Sequence, residues 1–291
     1  MRKITAILLL LCLLLSGCKK SNQPAPTSPP PVQEQLWVHF IDVGQADSIL
    51  LECNGRFALV DGGNDADGQA VAAYLARQGV TKLDLVVATH PHEDHIGGLA
   101  DIIDLVPVDA VWSSAIPNSS NAIRNFQRSV ADRGLEIQQP SVGQVFNLGG
   151  ATITVIGPVK EYDEINNLSI VLMVQHGNKR FLLTGDMERI AENDLVESGV
   201  DLKADVLKVG HHGSETSTGY IFLREVMPTY GIISCGKDNS YGHPHEDPLS
   251  RLRDAEVNVL RTDECSTIIA RSDGNDIYFM WGDEHIFREA A

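Results

Sequence analysis

A chain of 291 residues, 43% of them apolar, can build a packed core and is not disordered as a whole. Its formal charge of -16 speaks against the basic stripe by which proteins capture long nucleic acids, although bound cations would reverse the sign locally at a site. Five cysteines over this length do not make a disulfide scaffold.

At the start of the chain, Arg2 and Lys3 precede an apolar run from Ile4 to Leu15 that closes on Ser16-Gly-Cys18. The run is well short of the ~20 residues a spanning helix needs, so it reads as a secretory signal with a lipobox. The pattern resembles that of bacterial lipoproteins. That resemblance implies cleavage before Cys18, lipid on Cys18, and attachment to the bacterial cell membrane on its extracytoplasmic face. Loss of Arg2 and Lys3 with the signal (residues 1–18) takes the formal charge from -16 to -18. Residues 19–35 hold five prolines among Ser, Gln and Thr and read as a tether, with the folded domain expected over 36–291. Cys12 would leave with the signal. Cys53, Cys235 and Cys265 lie in strand-like apolar contexts and are expected as buried thiols.

The folded part contains an internal echo. Ser48-Ile-Leu-Leu51 followed by Gly55-Arg-Phe-Ala-Leu-Val-Asp61 is matched by Ser169-Ile-Val-Leu172 followed by the segment Gly177 to Asp186. Each copy predicts a two-stranded hairpin ending in an acid, then a helix: residues 68–76 after the first, 187–195 after the second. Antiparallel strands followed by strand–helix alternation predict an α+β domain of two similar halves, two sheets with helices outside.

Between the halves' landmarks, the apolar run Leu83 to Thr89 has the make-up of a buried strand and leads into His90-Pro-His-Glu-Asp-His95 and Gly97-Gly98, with a helix predicted over 99–105. Imidazole and carboxylate are ligands for Zn²⁺, Mn²⁺ or Fe, and this spacing lets His90 and His92 serve one ion while Asp94 and His95 serve a neighbour. Further on, a strand-like run from Asp205 reaches His211-His-Gly-Ser214, and Tyr241-Gly-His-Pro-His245 precedes a helix-like stretch from Asp247. No Gly-rich phosphate loop or dinucleotide fingerprint appears, so no organic cofactor is implied.

The metal loop resembles that of the metallo-β-lactamase superfamily, HxHxDH. Together with Val43-Gly-Gln-Ala-Asp47, Asn166-Asn-Leu-Ser169, His211-His-Gly-Ser214 and Tyr241-Gly-His243, it resembles the ComEC-like branch, over essentially all of residues 36–281. The resemblance implies an αββα sandwich with two divalent ions, Zn or Mn, at one edge. It implies metal ligation by His90, His92, Asp94, His95, a bridging Asp186 and His243, with Asp61 orienting the metal loop by hydrogen bonding. His211 and His212 fall between the bridging acid and the final histidine, where substrate contact or proton transfer is expected, with ligation as the alternative. Catalytic roles are thus expected for Asp94, His211 and His212, and substrate contacts for Asn166, Ser169, Ser214 and the aromatic Tyr241. Two departures stand out: no histidine precedes the bridging aspartate, so water or an asparagine (Asn166 or Asn167) would complete the first ion, and Ala46 replaces the branch's usual glycine.

The expected activity is hydrolysis of a phosphodiester, in DNA or a surface polymer, by a metal-activated water. Two alternatives accompany it: hydrolysis of a lactone, thioester or lactam by the same ions, and a non-catalytic surface binding lipoprotein.

Overall fold

The paired hairpins form because each joins two short, largely apolar runs, buried along most of their length, through a turn suited to them. Asn54 and Gly55, at φ 51° and 71°, turn the strand Ile49–Cys53 back along Arg56–Val60. Gly177, at φ 56°, opens the turn from Val171–His176 into Lys179–Leu183. The computed structural model describes residues 34–114 and 120–282, and the strand Ile286–Arg288 by its backbone. The signal, Cys18 and all but the end of the tether lie outside the described residues.

Each hairpin is the centre of a sheet. In the first sheet, Leu36–Phe40 lies antiparallel beside Ile49–Cys53. Beyond Arg56–Val60, the strands Leu85–Ala88, Val111–Ser113 and Ile137–Gln138 follow in parallel. In the second sheet, Ala151–Gly157 lies antiparallel beside Val171–His176, and Val206–Lys208, Tyr230–Ile233 and Asn258–Arg261 follow Lys179–Leu183 in parallel. The two orders are the same strand for strand, so the echo in the sequence is a repeated topology. The strand Val145–Leu148 extends the second sheet, while Ile268–Ser272, Ile277–Trp281 and Ile286–Arg288 extend the first beyond Leu36–Phe40.

Alternation along these strands feeds three apolar layers. Val38, Leu51, Val60, Leu172 and Phe181 fill the space between the sheets. Leu50, Leu59 and Val86 pack outward against the helices Gly68–Arg77, Leu99–Leu105 and Asn121–Asp132. Met173, Leu182 and Leu207 do the same against Arg189–Glu197, Tyr220–Val226 and Glu246–Asp254. The result is the expected αββα sandwich. Cys53 and Cys235 are buried free thiols, and Cys265 is a half-buried one. Among the described residues no helix is long and apolar enough to cross a membrane.

In both halves the parallel strands end at the same edge, where loops are free to carry polar groups. His90 follows Leu85–Ala88, Asp186 follows Lys179–Leu183, His211 and His212 follow Val206–Lys208, and His243 lies in the loop after Tyr230–Ile233.

Candidate metal centre

The metal loop turns immediately after its strand into the one-turn helix Glu93–Ile96, which buries His95. Close approach of backbones makes this possible. A Cβ on Gly98 would stand 2.1 Å from the carbonyl oxygen of Gly62, and one on Gly97 would stand 2.3 Å from the amide nitrogen of Asp65. The loop is thereby pressed against the turn that carries Asp61.

Asp61 holds the start and the end of the metal loop by hydrogen bonds. Its Oδ1 accepts the Thr89 amide at 2.8 Å, and its Oδ2 accepts the Thr89 hydroxyl at 2.7 Å and His95 Nδ1–H at 2.8 Å. A carboxylate can only accept here, so the neutral His95 ring carries its proton on Nδ1 and turns the Nε2 lone pair inward. Burial pushes the Asp61 carboxyl up, while His95 and the Thr89 amide favour its charged form.

His212 is fixed in the same sense by a different group. Its Nδ1 donates to the carbonyl of Ser234 at 2.9 Å, which leaves Nε2 facing the centre. His211 and His212 adopt left-handed backbone, φ 49° and 51°, a conformation costing roughly 1–2 kcal/mol per non-glycine residue. That strain aims two neighbouring imidazoles into one cleft.

Asp186 is the hub. Its Oδ2 lies 3.3 Å from His95 Nε2, 3.5 Å from His212 Nε2, and 3.8 Å from both His90 Nε2 and His211 Nε2. Its amide donates to Ser169 Oγ at 3.0 Å, and that hydroxyl also sits 3.3 Å from His90 Nδ1. Asp94 Oδ2 lies 3.2 Å from His212 Nε2 and 4.0 Å from His95 Nε2. Donor atoms of Asp94, His95, Asp186 and His212 all fall within 4.8 Å of one another. His90 Nε2 and His92 Nδ1, 3.1 Å apart, form a second donor pair, with His90 Nε2 3.8 Å from Asp186 Oδ2.

These residues fit divalent cations on a test internal to the fold. His95 Nε2, His212 Nε2 and Asp186 Oδ1 are buried and have no hydrogen-bond partner among the described residues. Orphaned polar atoms are rare in folded proteins, and two imidazole nitrogens turned toward one carboxylate that itself has an orphaned oxygen call for a ligand. Without a cation the cluster balances charge with protons. Burial opposes a charged His95, but Asp186, Asp61 and Asp94 hold its pKa well above the usual value. His212 is raised likewise, against burial, by Asp186 and Asp94. Burial and the positive charge of His95 push His90 well down, and His95 and His212 hold Asp186 well below the carboxylate range although burial acts the other way.

The cleft above this centre has a volume of about 450 Å³ and is lined by His92, Asp94, Asp186, His211, His212 and His243, with Gln45, Asn64, Glu93 and Tyr241 at its walls. His243 stands outside the four-residue group, its ring 6.3 Å from that of His212, and lines the cleft beside it. Gln45 Nε2 lies 3.2 Å from His243 Nδ1. Of the expected substrate contacts, Tyr241 lines the cleft and is 67% exposed. Asn166, Ser169 and Ser214 are buried, Ser169 on Asp186 and His90, Ser214 on Thr216, and Asn166 on Glu188 and His211. Asn167 is also occupied, accepting the Glu188 amide. Sequence reading passed over Gln45 as a contact to His243 and over Glu188, whose Oε1 lies 3.3 Å from His211 Nδ1.

A family model described as the metallo-beta-lactamase superfamily matches residues 41–237, a span that holds the metal loop, Asp186, His211 and His212. The chain belongs to the metallo-beta-lactamase superfamily. It is 32% identical over 253 residues to ComE operon protein 3 of Bacillus subtilis, covering 79% of this chain and 32% of that protein. It is 30% identical over 252 residues to Recombination protein 2 of Haemophilus influenzae, covering 84% of this chain and 29% of that one. These relatives place the superfamily member in the ComEC-like branch, and the chain spans about a third of the length of the curated relatives it matches. The metallo-beta-lactamase fold protein YhfI of Bacillus subtilis superimposes with a TM-score of 0.56 over 82% of this chain and 100% of its own, at 13% identity, a likeness of fold alone.

Proposed function

We propose that this protein is a metal-dependent phosphodiesterase that works outside the cytoplasm, held at the membrane through lipid on Cys18. The observation that carries the hydrolase reading is the convergence of four imidazole Nε2 atoms on Asp186 Oδ2 at the floor of an open cleft. Asp94, His95, Asp186 and His212 would hold one ion, and His90 and His92 with Asp186 the other. The donor set is richer in nitrogen than a site completed by asparagine, which favours Zn²⁺ over Mn²⁺.

The chemistry such ions supply is Lewis acidity, polarising a phosphoryl oxygen and acidifying water. The side chains supply the rest. Asp61 and the Ser234 carbonyl hold the protons of His95 and His212 on Nδ1, keeping both Nε2 atoms available as ligands. His211 lines the cleft with Nε2 3.8 Å from Asp186 Oδ2, while Glu188 Oε1 lies 3.3 Å from its Nδ1 and fixes the orientation of the ring. It is the group best placed to protonate a leaving alkoxide, a contribution typically of about 10²–10⁴-fold. Relatives named for competence and recombination agree with a phosphodiester of nucleic acid as substrate, and the acidity of the chain agrees better with a short or surface-held one.

The test is hydrolysis of bis(p-nitrophenyl) phosphate by the full chain loaded with Zn²⁺ or Mn²⁺, beside its Asp94→Ala variant and a panel of chromogenic lactone, thioester and lactam substrates. Activity that the variant loses supports the reading, and DNA and surface polymers are then compared. A metal-loaded protein that cleaves only the carbon-centred substrates overturns it. Retention of a Cys18→Ser variant in the membrane fraction would overturn the lipid anchor.

A further inference from the structure

Beneath the metal centre lies an ion pair that the hydrolytic chemistry does not use. Lys208 ends the strand Val206–Lys208 of the second sheet and is fully buried, its Nζ 2.8 Å from Asp47 Oδ2 and 3.1 Å from the Val209 carbonyl. Asp47, equally buried, comes just before the strand Ile49–Cys53 of the first sheet. The pair therefore joins the two halves of the molecule.

Asp47 is tied to both sets of ligands. Through its backbone it grips the first half: its amide donates to the Asp94 carbonyl at 3.1 Å, and its carbonyl accepts the Gly63 amide at 2.9 Å. Through its side chain it reaches the second: Oδ2 takes Lys208, and Oδ1, which has no hydrogen-bond partner among the described residues, stands 3.5 Å from His212 Nδ1. Lys208 precedes His212 by four residues, along the strand that delivers it. Asp94 and His95 come from one half and His212 from the other, so the gap between them depends on how the halves are clamped here.

A buried lysine–aspartate pair is an expensive way to hold two sheets together, because both charges give up water, and apolar residues of similar volume commonly stabilise a fold as well or better. Stability is thus a poor explanation for it. We propose that Lys208 and Asp47 are positioning residues that set the distance between Asp94–His95 and His212, and thereby the affinity of the ion site these three residues share with Asp186. The proposal rests on the hydrolase reading above.

Breaking the pair singly leaves a lone buried charge and endangers folding, so the informative variant is the double Asp47→Asn, Lys208→Met, which removes both charges with little change of shape. The full chain, stripped of metal, is titrated with Zn²⁺ against a chromophoric chelator, and its unfolding without metal is measured alongside. The wild type is expected to take up two ions. The double variant is expected to keep one at wild-type affinity and bind the other roughly 10- to 100-fold more weakly, the range typical of groups that orient ligands, with metal-free unfolding near that of the wild type. The single Lys208→Met variant, if folded, is expected to show the same selective loss. Two ions bound by the double variant as tightly as by the wild type overturn the proposal alone. Lowered metal-free stability with unchanged affinity overturns it too, by showing a merely structural role. A wild type that takes up no ion overturns both this proposal and the hydrolase reading.

Discussion

Asp61→Asn changes one oxygen into an amide nitrogen and leaves the shape alone, yet three donors depend on that carboxylate. If the NH₂ takes the Oδ2 place, it meets His95 Nδ1–H donor to donor. The ring then regains a hydrogen bond only by moving its proton to Nε2, the atom 3.3 Å from Asp186 Oδ2 that would ligate the ion. If the NH₂ takes the Oδ1 place, the buried Thr89 amide is orphaned instead. Either outcome costs about 1–3 kcal/mol, the penalty of a buried donor without an acceptor. In the first case the penalty falls on ion binding, and at about 1.4 kcal/mol per tenfold it weakens affinity roughly 5- to 150-fold. In the second it falls on the fold and lowers the melting temperature by about 2–4 °C per kcal/mol. Zn²⁺ competition titration and thermal unfolding of the metal-free chain read the two terms separately. An Asn variant within twofold of the wild type in affinity, with unchanged unfolding, would refute the argument that Asp61 sets the His95 tautomer.

Gly98→Ala places a methyl where the Gly62 carbonyl stands. Overpacking of this kind costs about 1–3 kcal/mol, so differential scanning calorimetry should show a clear fall in melting temperature, and an unchanged transition would mean the loop relaxes freely. His243 has its pKa depressed to about 4, first by burial and then by His212, His211 and His245. Its folded value lies below its unfolded one, so its contribution to stability is complete above about pH 6.5 and is lost as pH falls toward 4. Denaturant titrations of the metal-free protein should therefore lose stability more steeply over that window than those of His243→Gln; parallel slopes would assign the loss to the other groups.

The metal loop was legible because its information is local: three histidines and an aspartate within one turn of a strand's end can face only a few points in space. The doubled hairpin was legible because one local order occurs twice, a short apolar run, a turn and a second apolar run, in Ile49–Cys53 with Arg56–Val60 and in Val171–His176 with Lys179–Leu183. His212 was harder. Adjacent residues diverge in ordinary backbone, and only the left-handed conformation of both histidines sends His211 and His212 into one cleft, a feature that no residue type other than glycine announces. Ser169 and Ser214 illustrate a related gap, since a hydroxyl in a motif can face a substrate or brace a ligand, and only packing decides. Lys208 did leave a trace in the sequence, a lysine inside the apolar run Val206 to Val209, but a charge in a strand acquires meaning only when its partner, 161 positions away at Asp47, is seen.

The pairing of Leu36–Phe40 with Ile268–Ser272 joins the two ends of the folded chain. A contact of such sequence separation carries a large loop-closure cost and belongs to the slow class of folding reactions. Until the last strands are made, Val38 and Phe40 lack Ile268, Ala270 and Phe279 as neighbours, and the layer between the sheets is open along one side. A growing chain therefore cannot complete its core ahead of synthesis of its C-terminal strands, and truncation before Ile268 should yield a collapsed but poorly ordered chain rather than a smaller native one.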